Sequence, residues 1–236
     1  MKPKYRFPAP ALVLLLAAAL RLFRIGDESL WIDEGYSLRD ARDVDSFLDV
    51  RPFYFVLLRL WMRLGESDAW LRSLGALFGV GSVLLLYLLG KRLFGRNVAL
   101  VAALLMAVSP LQINHSQEIR MYTLTTFMVL LEVLFFAKFL ESGRIRHALV
   151  SLLAAAGALL AFPMTAMMLV ALDIFLITRL RENRRQSIVW FGAQTVGALA
   201  ALPMLGGIAS ECSQFGEAWT WRIPPPGFLE LLRVNR

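Results

Sequence analysis

The sequence has little charge and almost no cysteine, and both shortages narrow the class of protein. Only 18% of the 236 residues are charged, whereas 58% are hydrophobic. A soluble domain of this size is usually about a quarter charged and about half apolar. The single cysteine, Cys212, excludes a disulfide within the chain. The composition therefore argues against an ordinary soluble domain and against one held by internal disulfides.

Several signatures of soluble enzymes are also missing. The chain has no P-loop, no GxGxxG or GxSxG sequence and no spacing typical of metal ligands. The net charge of +7 would suit a nucleic-acid partner. In a membrane protein, however, basic residues gather in cytoplasmic loops, and we predict no binding to nucleic acid. We assign no cofactor, and a requirement for a divalent metal stays open.

What the chain does contain is a series of long apolar blocks, and a bilayer core takes about 20 such residues per helix. The blocks lie at about Pro8–Phe23, Ala69–Leu89, Val98–Ile113, Tyr122–Phe139, Ala148–Ala161, Met164–Thr178 and Ile188–Ala209. They predict an all-α, polytopic membrane protein of about seven transmembrane helices. Only Phe162-Pro163 separates the short fifth and sixth blocks, so one broken or re-entrant element is the alternative.

Basic residues orient these predicted spans. Lysines and arginines cluster at residues 91–96, 138–146 and 179–185. The intervening turns at 111–117 and 162–163 have none. Because cationic loops prefer the cytoplasm, we predict that the N-terminus and the three basic loops are inside. Arg21 and Arg24, at the other end of the first block, run against this pattern.

We place the protein in the plasma (inner) membrane and divide the chain into two parts. Residues 1–209 form a transmembrane module, and residues 210–236 are an extracytoplasmic tail that we expect to begin a further C-terminal portion. An extracytoplasmic loop at about 24–68 interrupts the module. Within that loop Pro52–Leu64 is apolar but too short to span, which suits a helix in the membrane interface.

Two adjacent carboxylates, Asp33 and Glu34, lie in the stretch SLWIDEGYSL, where the first apolar block meets water. One interpretation is a solvated pair that caps the next helix. The other is a general base, a metal ligand or a cation site, because partial desolvation at a membrane boundary makes a carboxylate a better base. The residues alone leave both interpretations open.

A second polar group lies at the predicted outer turn between the third and fourth blocks, in SPLQINHSQEIRMYTL. Its members are Asn114, His115, Gln117, Glu118, Arg120 and Tyr122. Each could simply end or cap a helix, but together they exceed what a short turn needs, and ionisable groups at membrane depth are functional candidates. Arg120 suits a phosphate, because a guanidinium is planar, charged and bidentate.

Arg51 is a third candidate, because it precedes Pro52 at the start of the interfacial helix. A cation beside a helix N-terminus can hold an anion. An arginine that only reaches toward lipid headgroups is the alternative. Glu132 and Asp173 fall inside predicted spans, where they either face partner helices or mark a polar path.

Four stretches together resemble the GT-C membrane glycosyltransferases of the dolichyl-phosphate-mannose protein mannosyltransferase type, a superfamily that includes bacterial aminoarabinose transferases. They keep the family's order and spacing: LWIDEGYS, RPFYFVLLRLW, DAWLRSLGALFGVGSVLLLYLLGKRLFG and SPLQINHSQEIRMYTL. The resemblance covers about residues 8–140 well and the rest more loosely. It departs at Val50-Arg51-Pro52, where many relatives have a basic residue or histidine before two prolines. Relatives also have more spans, so we expect this chain to match their N-terminal part.

The resemblance implies an enzyme that takes a sugar from a polyprenyl-phosphate carrier at the outer membrane face. It passes the sugar, with inversion, to a hydroxyl group of a protein, lipid or glycan acceptor. Asp33 then corresponds to the general base, and Glu34 orients the acceptor or the structure. Glu118, Arg120 and Tyr122 are expected near the same cavity. The remaining substrate-binding candidates are Arg51, Tyr54 and His115.

Two other functions fit the same residues. In a transporter or lipid flippase component, the acidic pair together with Glu132 and Asp173 would bind ions, and the break at Phe162-Pro163 would be a broken span. A truncated, non-catalytic membrane protein is the other alternative. All three functions share membrane lipids as partners.

Overall fold

The computed structural model of the chain describes residues 9–43, 52–182 and 184–196, and these residues contain helices but no β-strand. The helices are α1 (Ala9–Leu22), α2 (Ile32–Arg42), α3 (Pro52–Met62), α4 (Asp68–Phe94), α5 (Arg96–Val108), α6 (Pro110–Ser116), α7 (Tyr122–Ser142), α8 (Ile145–Ala161) and α9 (Ala166–Thr178). A 3₁₀ turn at Pro163–Thr165 precedes α9, and residues 184–196 are helical. The predicted all-α fold class is therefore confirmed for the described residues.

The count of seven spans is not confirmed. Within the described residues, α4 with 27 residues and α7 with 21 are long and apolar enough to cross a membrane, and α5 with α6 makes a third crossing if the bent pair is one span. The other apolar helices are shorter than the roughly 20 residues that a bilayer core requires. Residues 197–209, the end of the predicted seventh block, and the tail at 210–236 lie outside the described residues.

The predicted third block is not one continuous helix. α5 ends at Val108, Ser109 is extended with φ −64° and ψ 118°, and α6 leaves at an angle of 60°. Pro110 explains the break, because proline lacks a backbone N–H and disfavours helical geometry in the residue before it. The stretch predicted as a turn at 111–117 is instead mostly the short helix α6.

Arg21 occupies the gap that this break leaves. Its buried guanidinium donates to the carbonyl oxygens of Met106 and Ala107 at 3.2 and 3.1 Å, and to Ser116 Oγ at 3.1 Å. The last carbonyls of a helix lack partners within the helix, and its dipole favours a cation there. Gln117 in turn donates to the Arg21 carbonyl at 3.2 Å. Arg21 is thus an internal cap and not a loop cation, which explains its departure from the charge pattern.

α2, α3 and the start of α4 pack together with the α6–α7 connection. The core there consists of Leu38, Ala41, Tyr54, Leu58, Leu71, Leu74, Ile119, Met121, Leu124 and Ala161. Trp61 of α3 and Trp70 of α4 stack with ring centroids 4.7 Å apart. Each indole N–H donates to the other residue's backbone carbonyl, at 2.9 and 3.1 Å. This paired contact fixes the predicted interfacial helix α3 against the start of α4.

Candidate functional site

The two carboxylates of the first motif lie on the first turn of α2 and have opposite surroundings. Glu34 is fully buried, whereas 37% of the Asp33 side chain is exposed. Successive residues of a helix point about 100° apart, so one carboxylate faces the neighbouring helices while the other remains at the surface.

Glu34 joins three segments of the chain. Its Oε1 accepts from Arg72 Nε at 3.0 Å and from the Ile119 backbone N–H at 2.9 Å. Its Oε2 accepts from Arg72 Nη2 at 2.8 Å and from the Trp31 backbone N–H at 3.3 Å. Burial alone would raise the pKa of this carboxyl, but the bonds from Arg72, Ile119 and Trp31 outweigh it and hold the pKa below its ordinary value.

Arg72 is the residue that sequence reasoning missed. Besides Glu34, its guanidinium donates to the carbonyl oxygens of Ile25 at 3.2 Å, Glu28 at 2.8 Å and Ser29 at 3.3 Å. It therefore holds the segment before α2 as well as α2 itself. One signal was available, because a charged residue one turn inside a long apolar helix calls for a buried partner.

Asp33 lies beside Arg120 of the second motif. Arg120 Nη1 donates to the Asp33 backbone carbonyl at 3.3 Å, and Nη2 is 3.6 Å from Asp33 Oδ2. Its Nε is buried and has no hydrogen-bond partner among the described residues. The guanidinium also lies over the Tyr122 ring, 5.6 Å from the centroid. The site thus contains a cation with a donor to spare, next to an accessible carboxylate.

The other residues of the second motif continue from Tyr122. The His115 ring lies against it with centroids 4.7 Å apart, and His115 Nδ1 is 3.5 Å from Glu118 Oε2. Asn114 Nδ2 donates to Glu118 Oε1 at 2.5 Å. The residues predicted from the two motifs are therefore brought together at one place in the fold.

A polar cavity of about 320 Å³ opens beside these residues. Its lining consists of Glu28, Ser29, Trp31, Glu34, Arg72, Asn114, Gln117 and Glu118. This volume lies at the lower end of the range for small-molecule sites, about 300–1,000 Å³. Carboxylates and amides supply hydrogen-bonding groups, and Trp31 is 46% exposed. The cavity can therefore hold a small ligand rich in hydroxyl groups.

Of the predicted substrate-binding residues that the structure describes, only Glu118 lines this cavity. Asp33, His115, Arg120 and Tyr122 are not part of its lining. Tyr54 is buried at 4% exposure in the core cluster that also contains Ile119 and Met121. Arg51 lies outside the described residues. Among the described residues, no group of three or more histidine, cysteine, aspartate or glutamate side chains is arranged to hold a metal ion.

The family model described as dolichyl-phosphate-mannose-protein mannosyltransferase matches residues 49–206, more than half of the chain. The chain belongs to this family. Its mannosyltransferase-type sequence and its apolar helices make it an integral membrane protein of glycosyltransferase type. A search of curated proteins found no significant match.

The matched region of this mannosyltransferase-family chain includes part of the site and leaves part of it out. Arg72 and the whole second motif lie within residues 49–206, whereas Asp33 and Glu34 precede them. The bonds from Arg72 and Ile119 to Glu34, and from Arg120 to Asp33, connect the acidic pair to the matched region.

Proposed function

We propose that the protein transfers a sugar from a polyprenyl-phosphate carrier to an acceptor hydroxyl, with inversion, at the extracytoplasmic membrane face. Asp33 is the general base. The observation that supports this assignment is the contrast between the two adjacent carboxylates. Both oxygens of Glu34 are engaged inside the protein, while Asp33 is open to solvent beside a cation. Of these two carboxylates, we therefore assign the proton-accepting role to Asp33.

The reaction needs few catalytic groups. The acceptor oxygen attacks the anomeric carbon opposite the phosphate, its proton passes to the Asp33 carboxylate, and the bond from the sugar to the phosphate oxygen breaks. Phosphate is already a good leaving group, so a strong acid is not required. A positioned base contributes about 10²–10⁴ in rate, and a cation aimed at the departing charge adds to it.

Arg120 is the proposed cation. Its Nε is buried without a partner among the described residues, and a buried donor left in that state is costly. A phosphate oxygen of the donor would satisfy it, and the contact of Arg120 with the Asp33 carbonyl would set the phosphate and the base in one frame. Arg51, just before α3, remains a proposed second phosphate contact.

The polar cavity is the proposed site for the hydroxyl-bearing part of the substrates. Glu118 is held by Asn114 and His115, so its carboxylate is oriented before a ligand arrives. The exposed Trp31 ring offers a flat apolar face of the kind against which sugar rings can pack. Glu34 and Arg72 act as positioning residues, because they fix α2, and with it Asp33, against the α6–α7 connection.

The test is Asp33→Asn, with Asp40→Asn as the matched control on the same helix. Asp40 is bonded to Arg39 at the protein surface and has no part in the proposed site. Transfer from labelled polyprenyl-phosphate mannose should be measured in membranes of cells that produce the full protein. We expect Asp33→Asn to lose about 10²–10⁴ in rate with unchanged membrane insertion, and Asp40→Asn to match wild type. Wild-type transfer by Asp33→Asn would remove Asp33 as the base.

A further inference from the structure

A second pair of carboxylates lies in the part of the helices formed by α7, α8 and α9. Glu132 of α7 is 1% exposed, and its backbone carbonyl accepts from Ser151 Oγ of α8 at 2.8 Å. Its side-chain Oε1 is buried and has no hydrogen-bond partner among the described residues. The proposed transfer reaction makes no use of this residue.

Asp173 lies on α9, which packs on α7 next to Glu132: Phe175 of α9 meets Phe136, one turn beyond Glu132, with ring centroids 6.2 Å apart. Unlike Glu132, Asp173 is well supplied with donors. Its Oδ1 accepts from Trp190 Nε1 at 2.8 Å and from Gln194 Nε2 at 2.7 Å. The Trp190 ring is fully buried and packs edge-on against Phe136 of α7, with centroids 4.8 Å apart. Asp173 thus anchors helical residues 184–196 to α9, and Trp190 packs them against α7.

The neighbouring cations do not neutralise this pair. Lys138 is six residues beyond Glu132, about 9 Å along α7, and its ammonium lies over the Phe135 ring at 4.3 Å. His147, at the start of α8, is bonded through Nδ1 to Ser142 Oγ at 2.7 Å.

Arg179, which follows α9, donates to Glu182 Oε2 at 2.7 Å. Among the described residues, α4 and helical residues 184–196 bring no cation to Glu132 either. α4 meets this part of α7 with Leu85 and Leu89. Arg184 and Arg185 are exposed at the start of helical residues 184–196.

We propose that Glu132 and Asp173 form a proton-binding site within the membrane, in which Glu132 carries the proton. Two carboxylates in apolar surroundings cannot both be ionised without a cation between them. The donors from Trp190 and Gln194 favour the charged form on Asp173, whereas Glu132 has none to stabilise a charge on Oε1. The proton comes from water and is shared by the pair as one coupled unit. It allows α9 and residues 184–196 to pack on α7 without repulsion.

A hydrophobic carbodiimide tests the proposal, because this reagent enters the membrane and reacts with protonated carboxyl groups. The carboxyl O–H adds across a C=N bond of the reagent, and the acyl group then moves to nitrogen to give a stable N-acylurea. Mass spectrometry of the full protein, labelled in liposomes at pH 7, should place the adduct on Glu132. Glu132→Gln should abolish it, and exposed Glu182 serves as an internal control that stays unmodified.

Two further measurements make the outcome decisive. Asp173→Asn keeps the shape but removes the second charge, so the pH at which labelling of Glu132 falls to half should move downward. The infrared band of a protonated carboxyl should be present in wild type at pH 7 and missing from Glu132→Gln, which does not depend on access of the reagent. If sodium at constant ionic strength protected Glu132 from labelling, the site would bind a metal cation and the proposal of a proton site would be overturned. If the wild-type protein showed neither the carbodiimide adduct on Glu132 nor the infrared band at pH 7, the proposed site would be overturned. Neither result bears on sugar transfer.

Discussion

At the scale of single residues, the site depends on two adjacent carboxylates with different roles, because the geometry of α2 points their side chains in different directions. Asp33 and Glu34 share the first turn of α2, yet only Glu34 points into the protein. Its side chain is long enough to reach the Trp31 N–H behind it and Arg72 beside it. The Arg72 contact is bidentate, and such pairs combine strength with fixed geometry. Removing one member of a buried pair typically costs about 3–5 kcal/mol, because the other charge is left uncompensated.

Glu34 should therefore make the protein sensitive to acid. Its pKa is lowered in the folded state, so its contribution to stability is complete above the ordinary pKa and is lost as pH falls below that value and through the lower folded-state pKa. Glu34→Gln should unfold more easily at pH 7 and should lack this component of the acid loss. Thermal unfolding of the purified protein between pH 3 and pH 7, the range set by the ordinary carboxyl pKa of about 4.3, measures both effects.

Glu28→Gln is the control for that series, because Glu28 is exposed and only its backbone carbonyl contacts Arg72. It should keep the stability of wild type and the same dependence on pH. If Glu34→Gln were as stable as wild type at pH 7, the bonds of Glu34 to Arg72 and Ile119 would contribute nothing measurable to the free energy of unfolding.

At the scale of elements, two glycines of α4 allow the α6–α7 connection to lie close to that helix. A Cβ on Gly75 would lie 2.8 Å from the Ser116 carbonyl oxygen and 3.2 Å from that of Glu118. A Cβ on Gly79 would lie 2.8 Å from Arg21 Nε and would also overlap Ser116 Oγ. Because these contacts involve backbone and a buried cap, α6 can approach α4 this closely only where α4 carries glycine.

Gly75→Ala should push the connection away from α4, since the backbone oxygens cannot rotate aside. We expect a destabilisation of about 1–3 kcal/mol, as for other overpacked sites, together with weaker binding of polyprenyl-phosphate mannose, because Glu118 and Ile119 move with the connection. Gly192→Ala is the matched control, because nothing lies within 4 Å of a Cβ there, and it should be neutral or slightly stabilising. Equal stability of the two variants in denaturant unfolding would contradict the close approach.

Much of this architecture could be predicted from local pattern. The apolar blocks at Ala69–Leu89 and Tyr122–Phe139 correspond to α4 and α7, because a long apolar run leaves few alternatives to a helix. The family resemblance predicted both polar motifs at one cavity. The structure places Arg120 beside Asp33, but of the second-motif residues expected at the cavity only Glu118 lines it. The partners of Glu34, the cap formed by Arg21 and the close approach at Gly75 could not be predicted. Each depends on contacts between distant segments, which periodicity does not encode.

At the scale of the whole molecule, α4 runs from the candidate site to the first cluster of basic residues, at 91–96. Arg72 near its start contacts the site, and Lys91 and Arg92 lie in its last turn. Phe94 is 22 residues beyond Arg72, so the rise of an α-helix places about 33 Å between them. This distance is close to the roughly 30 Å thickness of a bilayer's hydrocarbon core. A site at one headgroup level and a cationic loop at the other are thus consistent with the charge-based orientation.

The lone cysteine makes that orientation measurable. In a Cys212→Ser background, Ser29→Cys and Asn97→Cys each add one thiol at an exposed position, on the site side and on the basic-loop side of α4. In intact cells, a membrane-impermeant maleimide should label Ser29→Cys at once and should label Asn97→Cys only after permeabilisation. The reverse pattern would put Asp33 in the cytoplasm, where the proposed reaction has no place. Labelling of both positions from outside would mean that α4 does not cross the membrane.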